Sequence, residues 1–565
     1  MQKLFTASIL LITSFVVLHA QQPPATPKRP DAFATGVIDG QVVNENGQPM
    51  AGASLFVRPV NSPGTARTAT ADADGNFRVT GLEPALYVVT GNAPAYTTVP
   101  GDPSAPVYYR IGDTVRVELI RGGAITGTVT NAVGEPVVGV RVRATMIRDA
   151  RGEPPRLMSF GVNEQPTDDR GVYRIYGLRP GTFVVSAGGA GFSPSFNPYE
   201  SDMPTFAPST TRDNAAELVV RSGEDSTIDI RYRGEPGHII SGTTKTLGTN
   251  GASVSLTQAG GLVPFATMFQ QAGQGFAFNG IGDGDYDLVA QEVTSNPGST
   301  TMPVFAISQA KRVTVRGADV TGIELSTRSL SSISGKITLE PSKVPECQGK
   351  RAPLLSEMLV RLQRPEEAGR EDALTARMTL SSASPDATGA FTMRNLIPGR
   401  YQFEPRFYAR YWYLQSITTS AGTPKPQKFD AAANWTTLKS GDQISNLTIT
   451  LAQGAASIRG RLTVPEGGAV PAGMSVYLVP SEPDKTEDVL RYFVSDVAGD
   501  LTFSFNNLPP GKYLTLVETQ APTLTKLRQP ESAPVRTKLR RSAEARKNEI
   551  ELKPCQNLAD YQLKQ

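Results

Sequence analysis

Asp168-Asp169-Arg170-Gly171-Val172-Tyr173-Arg174-Ile175-Tyr176-Gly177-Leu178-Arg179-Pro180-Gly181, followed by Phe183 and Val185, is the stretch that decides the fold. Its apolar residues alternate with polar ones at period two, which reads as a half-buried strand. The Asp and Gly before it mark a tight turn, and Gly-Leu-x-Pro-Gly marks a second turn that fixes the next strand. The stretch recurs as Asp72, Asp74, Gly75, Phe77, Val79, Gly81, Leu82, Pro84, Tyr87 and Val89. It recurs again as Asp386, Gly389, Phe391, Met393, Asn395, Leu396, Pro398, Gly399 and Tyr401. A degenerate copy reads Phe276, Phe278, Gly280, Ile281, Gly284 and Tyr286. The last reads Phe503, Phe505, Asn507, Leu508, Pro510, Gly511 and Tyr513, with its turn read at Asp496–Gly499, two residues farther upstream. An insertion of two keeps the inward face.

A second block precedes the first two copies. Gly40 and Val42 lead to Gly47, Pro49, Gly52 and Ala53; Gly127 and Val129 lead to Gly134, Pro136, Gly139 and Val140. The spacing predicts a strand, a glycine turn and a second strand. Unit starts fall near Gly40, Gly127, Gly242, Gly335 and Gly460, and closing strands are read at Val115–Leu119, Ile228–Ile230, Val313–Val315 and Leu447–Leu451. Repeats at this period predict a series of antiparallel sandwiches. The predicted division is a signal peptide (1–20), a Pro-rich linker (21–35), and sandwiches over 36–120, 121–232, 233–327 (degenerate), 328–452 and 453–565. Arg536–Lys547, rich in helix formers, predicts a short C-terminal helix held by Leu539 and Ala543; Ile550–Leu552 is read as a final strand.

The paired blocks, G-x-V…G-x-P…G and D-x-x-G-x-F-x-V-x-G/N-L-x-P-G-x-Y, resemble the carboxypeptidase regulatory-like domain. The resemblance implies an all-β fold of tandem antiparallel sandwiches, prealbumin-like or immunoglobulin-like, grouped with Cna-B-type and carbohydrate-binding-like folds. It also implies an exported bacterial setting.

Composition excludes much chemistry. The chain has 565 residues, a formal net charge of +3 and two histidines, His19 and His238. Near-neutral charge gives no footprint for nucleic acid. A zinc carboxypeptidase needs two histidines and a glutamate on one metal, and removal of a signal peptide leaves only His238. That residue, in Gly237-His238-Ile239-Ile240-Ser241, reads as an ordinary histidine at a strand start. Asp72-Ala73-Asp74-Gly75 places glycine at the fourth position of its loop, where a calcium EF-hand needs it at the sixth, so it reads as an Asx turn. Ser308-Gln309-Ala310-Lys311 has an acyl-enzyme spacing but precedes a β run. No catalytic residue, metal site or cofactor is assigned.

Lys3, the apolar run Leu4–Leu18 and Ala20 read as a secretory signal peptide. No later apolar run approaches the ~20 residues that span a bilayer. The expected location is secreted, periplasmic or cell envelope. Two features are candidates for binding or cross-linking. Tyr401–Tyr413 holds seven aromatics, with Trp412, Tyr411 and Tyr413 as the ligand-binding candidates and Trp412 as the first surface contact. Flat rings beside polar groups suit sugar faces. Cys347 and Cys555 are either a bridge between units four and five or two free thiols. The expected molecule is a rod of sandwiches, a non-enzymatic binding or structural protein at the envelope whose partner is a glycan or an envelope protein. Two alternatives stay open: an adaptor that pairs through sandwich edges, and a glycoside hydrolase working with carboxylates alone. The oligomeric state is not legible.

Overall fold

The computed structural model describes residues 36–60, 66–99, 107–153, 163–190, 198–259, 264, 266–294, 304–365, 382–421, 427–463, 473–482, 485, 487–519 and 522–564. The signal peptide and Pro-rich linker lie outside them. The described chain is a tandem series of five β-sandwich units with a short C-terminal helix.

One pairing recurs in all five. The first strand of each unit lies between an antiparallel neighbour and the unit's own closing strand, which runs parallel to it. In unit one Gly36–Asn44 sits between Asn76–Leu82 and Thr114–Arg121. Gly123–Thr130 of unit two pairs with Val172–Leu178 and, in parallel, with Asp225–Thr227 and Ile230–Arg231. The corresponding trios are His238–Lys245 with Gly275–Ile281 and Val320–Ser329 in unit three, and Ser331–Glu340 with Ala390–Leu396 and Gln443–Gln453 in unit four. In unit five Ala456–Thr463 pairs with Thr502–Leu508 and Asn557–Lys564.

The unit-start glycines explain themselves here. A Cβ on Gly40, Gly127 or Gly242 would overlap the carbonyl of Val115, Ile228 or Ile323 on the closing strand. On Gly335 it would stand 2.5 Å from the Leu447 oxygen, and on Gly460 2.7 Å from that of Tyr561. A side chain there would push the closing strand away.

The repeat motif is equally physical. Asp72 Oδ1 accepts from the backbone N–H of Asp74 and Asn76 at 3.0 and 2.8 Å, and Asp168 Oδ1 from Arg170 and Val172 at 2.9 and 2.7 Å. These are Asx turns. The Gly or Asn of the second turn takes left-handed backbone at Gly81, Gly177, Gly280, Asn395 and Asn507, which is why no other residue type fills the position. The Leu or Ile after it is buried in each unit. Four units then close with a tyrosine whose Oη donates four residues back: Tyr87 to Glu83, Tyr286 to Gly282, Tyr401 to Ile397 and Tyr513 to Pro509, at 2.7–2.8 Å. Unit two carries buried Phe183 there instead.

A second sheet packs over the first. In unit one it is Ser54–Pro59 between Arg67–Thr70 and Tyr87–Asn92, and Val42, Leu55, Val57, Phe77 and Leu119 fill the space between the layers. Each other unit likewise has its own core.

Four expectations change. The closing strand of unit three is Val320–Ser329; Lys311–Val315, read as closing, pairs with Gly284–Thr294. Val304–Ser308 bridges Gly284–Thr294 and Val320–Ser329, so the two layers of unit three form one continuous sheet. The turn of unit five has no insertion: Ala498 replaces the aspartate and Leu501 takes the left-handed glycine position, with the Leu501 N–H bonded to the Ala498 carbonyl at 2.9 Å. The strand Glu549–Leu552 is not the last, because Asn557–Lys564 follows it and supplies the parallel partner.

The rod of independent beads is also corrected. Parallel first and last strands put a unit's entry and exit at opposite ends, and a single residue separates closing from opening strands at Gly122 and at Leu330, two at Gly454 and Ala455. Yet Val489 and Leu490 of unit five belong to the core of unit four. Arg110 of unit one meets Glu357 of unit four, Nη1 to Oε2 at 3.8 Å. The chain therefore bends back on itself.

Gly127→Ala is expected to lower the stability of unit two by about 2–4 kcal/mol through the overlap with Ile228. Gly134→Ala, which meets only open space at φ +90°, should cost about 1 kcal/mol. Thermal unfolding of both proteins checks the contrast.

Candidate functional site

The aromatic segment lies where three units come together. Unit four contributes its strand Gly399–Arg406, then the irregular residues 407–411, then the strand Trp412–Ala421. Tyr411 has left-handed backbone, φ +67°, and its carbonyl accepts from the N–H of Gly454 and Ala455 at 2.8 and 3.0 Å. Asn507 of unit five donates through Nδ2 to the carbonyls of Ala409 and Trp412, both at 2.7 Å. The same asparagine supplies the left-handed turn of unit five, so one residue both shapes its own unit and grips the preceding one.

A disulfide joins Cys347 to Cys555 across this junction, with the Cα atoms 5.5 Å apart. Cys347 is buried on the short helical turn Pro345–Cys347. Its carbonyl accepts from Gln453 Nε2 at 3.0 Å, and Gln453 Oε1 accepts from the Ser342 N–H at 3.0 Å. The long loop before Leu359–Gln363 is thereby tied to the end of unit four.

The three ring candidates part company. Trp412, expected at the surface, is only 2 % exposed and sits in the core of unit four. Residues 412, 414 and 417 face that core because the strand shifts register between Leu414 and Ser416, which breaks strict alternation. Its Nε1 donates to the Arg351 carbonyl at 3.3 Å, so it props a wall of the site and leaves no face for a ligand. Tyr411 is partly exposed, with the Lys350 ammonium 4.7 Å over its ring. Tyr413 is half-buried and burial pushes its phenol up, with Arg491 pulling the other way. The ring that reaches solvent is Tyr408, 49 % exposed.

Tyr408 and Tyr411 line a cleft of about 250 Å³ with Arg351, Arg410, Glu357 and, from unit one, Arg110. The Arg110 guanidinium stands 5.1 Å over the Tyr408 ring. The Glu357 carboxyl is held above its ordinary value by burial, which outweighs the pull of Arg110 and Arg351. The guanidinium groups of Arg110 and Arg351 thus act on one carboxylate that gives up its charge more readily than usual. The walls are the turn Leu355–Glu357, Pro353 and the irregular segment 407–410, and among the described residues no strand edge lines the cleft. Arg110 escaped the sequence reading because it lies in a different unit and in no motif.

The remaining candidates carry no assembled chemistry. His238 opens its strand with Nε2 3.5 Å from Asp283 and Nδ1 3.9 Å from Asp319, both carboxylates exposed. Among the described residues no group of three or more His, Cys, Asp and Glu is placed to hold a metal. The tail helix Ala533–Arg546 packs Leu539 and Ala543 against Tyr477, Leu514 and Leu516, and Arg536 is buried, with Nη1 donating to the carbonyls of Leu527 and Gln529. No helix of the described residues is long and apolar enough to cross a membrane.

The fold and this junction define a multi-domain β-sandwich protein. Residues 37–118, the first unit, match the carboxypeptidase regulatory-like domain. Among solved structures the chain is similar to the minor pilin GBS52 of Streptococcus agalactiae, at 11 % identity over 35 % of this chain and 96 % of that one, TM-score 0.20. It is similar to the TIE protein of Bacillus anthracis at 12 % identity, over 90 % of this chain and 74 % of that one, TM-score 0.16. Two B repeat units of the collagen-binding protein of Staphylococcus aureus share 10 % identity over 74 % of this chain and all of theirs, TM-score 0.13. No curated protein matches the chain.

Replacing both cysteines by serine opens a crosslink between residues 208 positions apart. The expected loss is about 2–5 kcal/mol, with new protease cleavage at the junction of units four and five. An unchanged digestion pattern would show that the non-covalent contacts across the junction, Asn507 and the inserted Val489 and Leu490 among them, hold it without the disulfide.

Proposed function

We propose that this chain is an exported, non-catalytic scaffold of the cell envelope that binds a glycan in the cleft between units one and four. The carrying observation is Tyr408: a half-exposed ring with the Arg110 guanidinium 5.1 Å over it, in a cleft that Arg351 and Arg410 also line. Amphipathic rings with polar neighbours suit the apolar face and hydroxyl rim of a pyranose. Five units act as the frame that sets two distant loops opposite each other. Loops held on a rigid scaffold are where binding residues concentrate. Fold alone does not fix function, so the reading stands on the cleft.

The adaptor alternative has one feature in its favour, Phe269, exposed on the edge strand Ala266–Gln270 of unit three. Edge strands differ in length: Arg67–Thr70, Tyr96–Thr98 and Glu164–Pro166 span four, three and three residues, whereas Asn76–Leu82, Val172–Leu178 and Ala390–Leu396 span seven and keep the adaptor reading open. Short edges limit strand addition. Export is supported by Lys3, the Leu4–Leu18 run and Ala20, and by a disulfide, which persists in oxidising compartments.

On a glycan array the full chain is expected to bind a defined set of saccharides, and Tyr408→Ala to weaken that binding by about tenfold. Trp412→Ala should act through stability, lowering the melting temperature of unit four. Release of new reducing ends from a bound saccharide would overturn the non-catalytic part of the reading; no binding by the folded wild type would overturn the glycan part.

A further inference from the structure

The charge of the cleft narrows the ligand class. Arg110, Arg351 and Arg410 line it together with a single carboxylate, Glu357. Lys350 adds a fourth cation over Tyr411. A neutral sugar would leave the Arg110 guanidinium to Glu357 and Asp113, at 3.8 and 3.9 Å, both longer than a hydrogen bond. A planar carboxylate matches the fork of an arginine and accepts two parallel bonds from it. A peptide is less well suited, because acidic segments that dock by strand addition need a sheet edge, and the cleft is bordered by a turn, a proline and irregular chain. Its volume of about 250 Å³ fits one sugar ring and its substituent better than an extended chain.

We infer that the cleft takes the carboxylate-bearing ring of an acidic saccharide, with the carboxylate between Arg110 and Arg351 and the ring face against Tyr408. The assignment rests on the glycan reading above and gives it a chemical class. It also gives the bend of the chain a role. Arg110 belongs to unit one and Arg351 to unit four, so the two halves of the carboxylate grip come together only when the units touch.

Glu357 sets the sign of the pH dependence. The groups acting on it are Arg110, Arg351 and Asp113, and burial holds its carboxyl above the ordinary value. Glu357 stands 3.8 Å from Arg110 and competes with an incoming carboxylate for it. Protonation removes both that competition and its repulsion of an anionic ligand. Binding should therefore tighten as pH falls through the titration of Glu357, until the ligand's own carboxylate protonates. Glu357→Gln should tighten binding at neutral pH and flatten this trend.

The test is calorimetric titration of the full chain with oligosaccharides of galacturonate, glucuronate and mannuronate, each beside its methyl ester. Expected are binding to at least one free acid, a loss of about tenfold or more on esterification or in Arg110→Gln, and a gain in Glu357→Gln. Equal affinity for acid and ester overturns the acidic class and leaves the glycan reading intact. Binding to poly-glutamate at the same strength as to the uronides overturns it in favour of charge alone. Binding to neutral array sugars without any to the uronides overturns it too, whereas no binding to any saccharide overturns the reading beneath it. The two substitutions act in opposite directions, so a general loss of folding cannot imitate the expected pair.

Discussion

Each unit's first strand is held on both sides by its own chain, with the closing strand parallel to it and close enough that the repeat glycine admits no side chain. Much else follows from this pairing. Parallel strands cannot be joined by a hairpin, so the intervening chain must cross to a second sheet and return. That crossing makes the sandwich. The exit of a unit lies at the end opposite its entry, so the next unit begins within one or two residues at three of the four joints. Serial sandwiches are the natural product of such a unit.

Serial connection leaves the arrangement of the units open, and side chains settle it. Asn507 is the clearest case. Its backbone takes the left-handed turn that glycine serves in units one to three, and its side chain bonds two carbonyls of unit four. Units three and four make a related contact, Asn395 Oδ1 accepting from the Phe305 N–H at 2.8 Å. Glycine at these positions closes a unit; asparagine closes it and grips a neighbour. The disulfide and the inserted Val489 and Leu490 then tie units four and five together. The cleft exists because this body presents 351–357 and 407–411 on one side and unit one reaches across with Arg110.

Repeated motifs were the most legible part of the chain. Asp72, Asp168 and Asp386 act through backbone bonds within four residues, so spacing alone exposes them. The tail helix was legible from composition, because Arg536–Lys547 is a run of helix formers without Gly or Pro. Unit five hid its turn because Ala498 and Leu501 adopt the geometry without the usual residue types. Its true closing strand, Asn557–Lys564, was missed because Asp560, with left-handed backbone, breaks the alternation. Trp412 was misplaced for a comparable reason: a register shift turned an outward position inward.

The sequence by itself determined the sandwich unit, its tandem repetition and the Gly/Asn-Leu turns, because those rest on bonds between residues near in the chain and on alternation at period two. Only the tertiary structure decided that Cys347 meets Cys555, that Trp412 is a core residue supporting Arg351, and that Arg110 faces Tyr408. Those contacts join separate units or depend on where a strand slips by one residue. Neither distance across units nor a bulge leaves a periodic trace in the order of the amino acids.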